Sequence, residues 1–409
     1  MTIRISTSAI YEAGTTQLNS LQSQMAKTQM QLSTNRRMLT AADDPIASAR
    51  ALELTQSKSM NTQFGTNRSN ANASLSLVDQ SLSDVSGQIT EIQSLIVTAG
   101  NGGYSQSDRE ALATELEGRL TDLIGLANTS NGTGGYLYSG YASTTQPYSQ
   151  TPTGAAYQGD QGQRTLQVGS TRKMAISESG SAVFDAISTG NGSFQTQADP
   201  KNTGAGIVSP GAVTDRSKLT GHDYALNFTV GGTPAVTTYS VVDKSVSPAK
   251  DVLKDQPYTA GASISFDGLS LDVKGVPANG DSFTVEPSEK QSVFTTITNL
   301  ITTLRTPADG STGKAALANG LATAGSNMKN ALDNVLTVQA SVGARMKELD
   351  YLDSTGSDLD VQYQTTLSGL QDLDVVKAIS LFSQQQTTLQ AAQMSFKTMS
   401  GLSLFNYIS

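Results

Sequence analysis

Residues Val375–Met399 read VVKAISLFSQQQTTLQAAQMSFKTM, and within them Val375, Ala378, Phe382, Gln385, Leu389, Ala392, Phe396 and Met399 recur at alternating steps of three and four. That spacing is the seam of a coiled-coil-forming helix. Near the other end of the chain Tyr11, Gly14, Leu18, Leu21, Met25, Thr28, Leu32, Asn35 and Leu39 keep the same rhythm. Each predicted helix has one narrow apolar stripe that it cannot bury alone, and each is the right length to cover the other. The sequence therefore predicts that the two ends pair. Their outer faces carry Gln, Ser, Thr and Asn where a coiled coil in water carries Glu and Lys. Between Ala378 and Ser409 the only charge is Lys397, and between Met1 and Asn35 the charges are Arg4, Glu12 and Lys27. Amide and hydroxyl faces can be buried without the desolvation cost of charges. They suit either a packed polymer or coverage by other segments of the same chain.

Working inward, Arg36 and Arg37 fall in the last turn expected for the first helix, where cations favour the helix dipole. After the connector Thr40–Asp44, Asp44 is placed to cap the next helix, and Pro45 suits its first position. Phe64, Ala71, Leu75, Val78, Leu82, Val85, Ile89, Ile92, Ile96 and Ala99 then extend one seam, predicting a helix of about 80 Å. Gly100–Gly103 ends it. Ser107 with Glu110 reads as a capping box for a helix with the stripe Leu112, Leu116, Leu120 and Leu123. From about Tyr136 to Glu286 short alternating stretches separated by Gly, Pro, Ser and Thr predict strands. Tyr224, Leu226, Phe228 and Val230 alternate before Gly231-Gly232, and Ile264 and Phe266 lead through Asp267-Gly268 to Leu269, Leu271 and Val273, a hairpin signal. Helix returns at Ser288, with Gln291 read as completing a capping box, and stops at Pro307. A last long seam runs from Leu317 to Leu352, with an interruption expected at Ser354–Asp358.

The predicted fold is mainly α with an inserted β-rich domain: a long antiparallel helical bundle, or coiled coil, formed by both chain ends, with the β domain at its tip. Three parts are expected: a paired-helix domain of residues 1–40 and 370–409, a long-helix rod of residues 41–140 and 288–369, and the β-rich insertion 141–287.

The formal charge is -8 and the pI is near 4.8, without a basic cluster, which argues against nucleic acid as partner. No apolar run approaches the length of a membrane helix, so no membrane insertion is expected, and there is no Cys for disulfide or thiol chemistry. Met1–Ser6 lacks the pattern of a cleaved signal peptide. His222 is the only histidine, so no two-His metal motif or catalytic triad can be built. Gly310–Lys314 lacks the first glycine and the Ser/Thr of a phosphate loop, Ala308 and Ala315 standing there instead. Asp358 and Asp360 start like a calcium loop, but Gln362 and Tyr363 break it. Asp43 and Asp44 are more simply helix caps than paired catalytic carboxylates. The expectation is a protein with no catalytic, metal or cofactor site.

Leu32-Ser33-Thr34 with Arg36-Arg37 and then Asp43-Asp44-Pro45 resembles the N-terminal signature of the flagellin superfamily, with Asn35 where Gly is usual. Asn accepts a left-handed backbone better than most residues. Val342-Gly343-Ala344-Arg345, Asp372-Leu373-Asp374, Leu389-Gln390-Ala391-Ala392 and the ending Leu402–Ile408 are similar to the same superfamily. That ending, with Gly275–Val285, resembles its hook-filament junction members more than flagellin itself. The resemblance covers roughly residues 1–140 and 265–409. It implies a structural adaptor of the bacterial flagellum, joining hook-associated protein 1 to flagellin by helical self-assembly. It also implies export through the flagellar type III apparatus to the cell exterior, a chaperone that holds the C-terminal helix, and other copies of the chain as partners. The alternatives are a filament subunit or, from a different class, a secreted adhesive or carbohydrate-binding protein acting through the β insertion.

Overall fold

Pro45 begins a helix because its missing N–H is not needed there, and the Asp44 carboxylate accepts the free Ala47 N–H at 3.0 Å. In the computed structural model, which describes residues 7–401, that helix is α2 (Pro45–Ala99), preceded by α1 (Thr7–Thr34). Asn35 takes φ 52° and ends α1, so the helix does not run through it. The other helices are α3 (Gln106–Ala127), α4 (Val293–Arg305), α5 (Gly310–Gln371) and α6 (Val375–Gly401).

Three local expectations are corrected. The capping box of α3 is Ser105 with Asp108, not Ser107 with Glu110: the Asp108 N–H donates to Ser105 Oγ at 3.2 Å and the Ser105 N–H to Asp108 Oδ2 at 2.9 Å. Ser288 does not start α4. Lys290–Gln291 pairs instead with Ile187–Ser188 as a short strand, which delays the helix to Val293 under a Ser292 cap. At Ser354–Asp358 no break occurs, since α5 is continuous and the buried Gly356 offers its carbonyl to Asn61 Nδ2 at 2.7 Å.

The chain divides into two compact units, residues 1–66 with 352–409 and residues 67–351. In the larger unit Ala71, Leu75, Val78, Leu82, Val85, Ile89, Ile92, Ile96 and Ala99 of α2 are all buried. They share the core with Leu321, Ala324, Met328, Ala331, Val335, Val342 and Leu349 of α5. Gln339 donates to Asp79 at 3.1 Å, and Ile96 lies beside Gly325, so these stretches run antiparallel. Each fully buried Leu or Ile here contributes about 1.5–3 kcal/mol.

The inserted strands form a five-stranded antiparallel sheet in the order Lys250–Pro257, Val236–Asp243, Tyr224–Gly231, Ser282–Pro287, Phe194–Ala198. A second sheet joins Ser263–Phe266, Leu269–Lys274 and Ile207–Val208. The Asp267-Gly268 turn between its first two strands has φ of 41° and 77°, the left-handed pair that a tight hairpin requires. Tyr224, Leu226, Phe228, Phe283 and Val285 from the first sheet, with Ile264, Phe266, Leu271 and Val273 from the second, make one apolar core. Not all of the predicted β region joins it. Tyr148 and Phe184 pack with Phe294 of α4, with ring centroids 4.9–5.6 Å apart.

A row of asparagines on α5 fastens the insertion to the helix. Asn319 donates to the Gly206 carbonyl at 3.0 Å and accepts the Val208 N–H at 2.9 Å. Asn327 accepts the Gly190 N–H at 2.8 Å, and Asn330 and Asn334 donate to carbonyls at Ser188, Gly190, Ala182 and Val183. Irregular backbone lying against a helix is satisfied in this way.

Candidate assembly site

In the smaller unit α1 and α6 pack along their length. Tyr11 and Phe396 meet at one end as tilted rings with centroids 5.0 Å apart, and at the other the Leu373 N–H donates to the Asn35 carbonyl at 3.3 Å, so the pair is antiparallel. Along α6, Ala378 and Leu389 are buried and Phe382, Gln385, Ala392 and Phe396 are half-buried. Val375 and Met399, at its two ends, are 42% and 48% exposed. Along α1, Leu21 and Thr28 are buried, Leu18, Met25 and Leu32 are half-buried, and Leu39 is half-buried in the connector.

Gly14 belongs to this packing, because a Cβ there would stand 2.7 Å from Phe396 Cδ2. Its missing side chain is the hole that the ring fills. The Gln385 side-chain oxygen is buried in the helix pair without a hydrogen-bond partner. A polar residue at a seam position costs stability and penalises other registers. Leu402–Ile408 of the sequence signature lies outside the described residues.

The connector is tied to α1 and to the end of α5. Asp43 accepts Lys27 Nζ at 2.6 Å and the N–H groups of Leu39 and Thr40, each at 2.9 Å. Those bonds, Lys27 first and then the two backbone N–H groups, hold its carboxyl well below the usual carboxylate range. So only Asp44 caps α2, and Asp43 closes the connector on α1. Arg37 does not serve the end of α1, which has stopped at Thr34. Its guanidinium donates to the Leu370 carbonyl at 2.9 Å and its N–H to the Gln371 carbonyl at 2.8 Å, satisfying the last turn of α5. Arg345 is not brought to this site. It belongs to the larger unit, where it pairs with the buried Glu178 and donates to the Ala175 carbonyl at 3.1 Å.

Sequence reading missed part of the outer face. Val376, Ile379, Leu381 and Met394 on α6, with Ile10 and Met30 on α1, are exposed, Val376 by 81% and Met394 by 67%. Off-seam apolar residues among amides were the available signal. An apolar and amide surface with few charges is the composition that packs against another protein surface.

Elsewhere, His222 Nδ1 lies 2.7 Å from Asp243 Oδ2, a contact within the β-rich insertion. Among the described residues no helix is long and apolar enough to cross a membrane.

Residues 5–143 match the family described as bacterial flagellin N-terminal helical region, and residues 197–287 match flagellar hook-associated protein 1, D2-like domain. The second match takes in Gly275–Val285, which already carried the resemblance, and extends it over residues 197–264, to which sequence reading gave no family likeness. Flagellar hook-associated protein 3 of Salmonella typhimurium is 29% identical over 404 residues, 98% of this chain and 99% of that protein. The crystal structure of flagellar hook-associated protein 3 from Legionella pneumophila aligns with a TM-score of 0.73 at 31% identity, over 78% of this chain and 98% of that one. The structure of Xanthomonas campestris FlgL gives 0.68 at 29%, over 77% and 99%. With this paired-helix unit, this inserted sandwich and relatives matched from end to end, the chain belongs to the flagellar hook-associated protein 3 family of the flagellin superfamily, proteins of the bacterial flagellum.

Proposed function

We propose that the chain is a structural adaptor at the hook-filament junction, which joins hook-associated protein 1 to flagellin by helical self-assembly and without catalysis. The observation that carries this reading is the α1–α6 pair: a thin seam whose outer faces are apolar or amide-bearing and nearly free of charge. The seam residues Leu18, Leu21, Met25, Leu32, Ala378, Phe382, Leu389, Ala392 and Phe396 hold the pair, and its outer faces meet neighbouring subunits. Export through the flagellar type III apparatus, with a chaperone on the C-terminal helix, belongs to the same proposal.

Similarity to flagellar hook-associated protein 3 over 98% of the chain favours this reading over a filament subunit. Immunogold labelling tests it. A band at the end of the hook is expected, label along the whole filament makes the protein a filament subunit, and no flagellar label leaves an adhesive role for the insertion.

A further inference from the structure

The sequence holds five Asn-Gly pairs, at Asn101, Asn131, Asn191, Asn279 and Asn319. In such a pair the glycine nitrogen can attack the preceding side-chain amide, because no Cβ hinders the approach. The attack requires an N–H that is free to lose its proton. Four of the five are tied down: the Gly132 N–H donates to Ser130 Oγ, Gly192 to the Thr189 carbonyl, Gly280 to the Phe228 carbonyl, and Gly320 lies within α5. Only the Gly102 N–H makes no hydrogen bond, in an exposed loop where nothing lies within 4 Å of its would-be Cβ.

The same loop also activates the electrophile. The Gly103 N–H donates to Asn101 Oδ1 at 3.1 Å, a donor aimed at the oxygen on which negative charge develops during attack. Asn131 has comparable polarisation, since Thr133 and Gly135 N–H groups donate to its Oδ1 at 2.9 and 3.0 Å, but its nucleophile is held by Ser130. Asn191 and Asn319 are further restrained through their own amide nitrogens, which donate to backbone carbonyls.

We infer that Asn101 is a built-in deamidation site, the one Asn-Gly pair among these five that the fold leaves reactive. The Gly102 nitrogen loses its proton and bonds to Asn101 Cγ, and the Cγ–Nδ2 bond breaks with release of ammonia, leaving a five-membered succinimide. Water then opens the ring at either carbonyl, giving aspartate or isoaspartate. No oxidant or reductant takes part. The product carries a negative charge directly after the C-terminus of α2, where the helix dipole disfavours it.

The test is incubation of the folded, full-length protein at mildly alkaline and mildly acidic pH, followed by peptide mapping and mass spectrometry, with isoaspartyl methylation as a second readout. Amide-to-acid conversion and isoaspartate are expected at Asn101, faster at the alkaline pH, while the other four pairs stay intact. Gly102→Ala should slow it by roughly an order of magnitude, a barrier change of about 1.4 kcal/mol. Ser130→Ala frees the Gly132 N–H and should make Asn131 a second site. In urea all five pairs should react, because the protection comes from the fold. Equal reaction at all five in the folded protein, no conversion at Asn101, or no effect of Gly102→Ala would overturn the inference.

Discussion

Phe396 fills the space that Gly14 leaves open, so the α1–α6 pair depends on one large and one absent side chain. Phe396→Asp removes that packing and leaves a carboxylate against an uncharged seam. We expect a loss of about 3 kcal/mol, the low end for a buried aromatic because the ring is only half-buried, plus a desolvation cost. Gln393→Asp lies off the seam on an exposed position and should leave the pair intact. Filament attachment in cells carrying each variant separates the two roles: Gln393→Asp keeps its filaments if that face is solvated and loses them if it packs against neighbouring subunits. Asp43 gives a prediction in pH. Its folded pKa is depressed, so the connector's stabilisation is present above the ordinary carboxylate range and is lost as pH falls through that range toward the lower folded value. The protection of the Leu39 and Thr40 amides, taken relative to the intrinsic exchange rate at each pH, should fall on acidification, and Asp43→Asn should show the reduced protection at neutral pH already.

At the scale of elements, α5 holds the insertion partly through Arg345, whose side chain is 16% exposed beside a Glu178 side chain that is 5% exposed. Arg345→Met leaves that carboxylate buried with, among the described residues, the Gln163 amide 2.7 Å away as its remaining side-chain partner. A cost of about 3–5 kcal/mol is expected in a thermal or urea melt. The double variant Arg345→Met with Glu178→Gln should recover most of it, since no charge then stays buried. The outer strand Lys250–Pro257 shows the opposite design. It carries Lys250, Asp251, Lys254 and Asp255, ends in Pro257, and meets its neighbour through register shifts. Charges, irregular pairing and proline all discourage sheet-edge association. That fits the proposal that assembly is left to the helices rather than to the insertion.

For the whole molecule, the two units differ in how much they bury. Few large apolar side chains of the smaller unit are fully covered, whereas the larger one has a helical core and a sandwich core. In dilute monomer, hydrogen exchange should therefore be fast over residues 7–34 and 375–401 and slow over the buried stretches of α2 and α5. Truncation from Ala378 should preserve cooperative melting of residues 67–351 while abolishing incorporation into the flagellum. Loss of that melting would make the ends part of a single core.

Local rules written in neighbouring residues were legible from the sequence alone. Asp44-Pro45 starts α2 and Gly100 ends it, the Asp267-Gly268 turn sets its hairpin, and the three-four rhythm marks the helices that need a partner. Each of these depends on backbone geometry or periodicity within a few residues. What the tertiary structure decided was which partner each polar group finds. Arg37 reaches α5 rather than the end of its own helix, Asp43 closes the connector while Asp44 caps, and Gly14 is a socket instead of a gap. The asparagines of α5, outside every apolar pattern, carry the inserted domain. A hydrogen bond between residues more than a hundred positions apart leaves no periodic trace in the sequence. Only the path of the folded chain brings its two ends together.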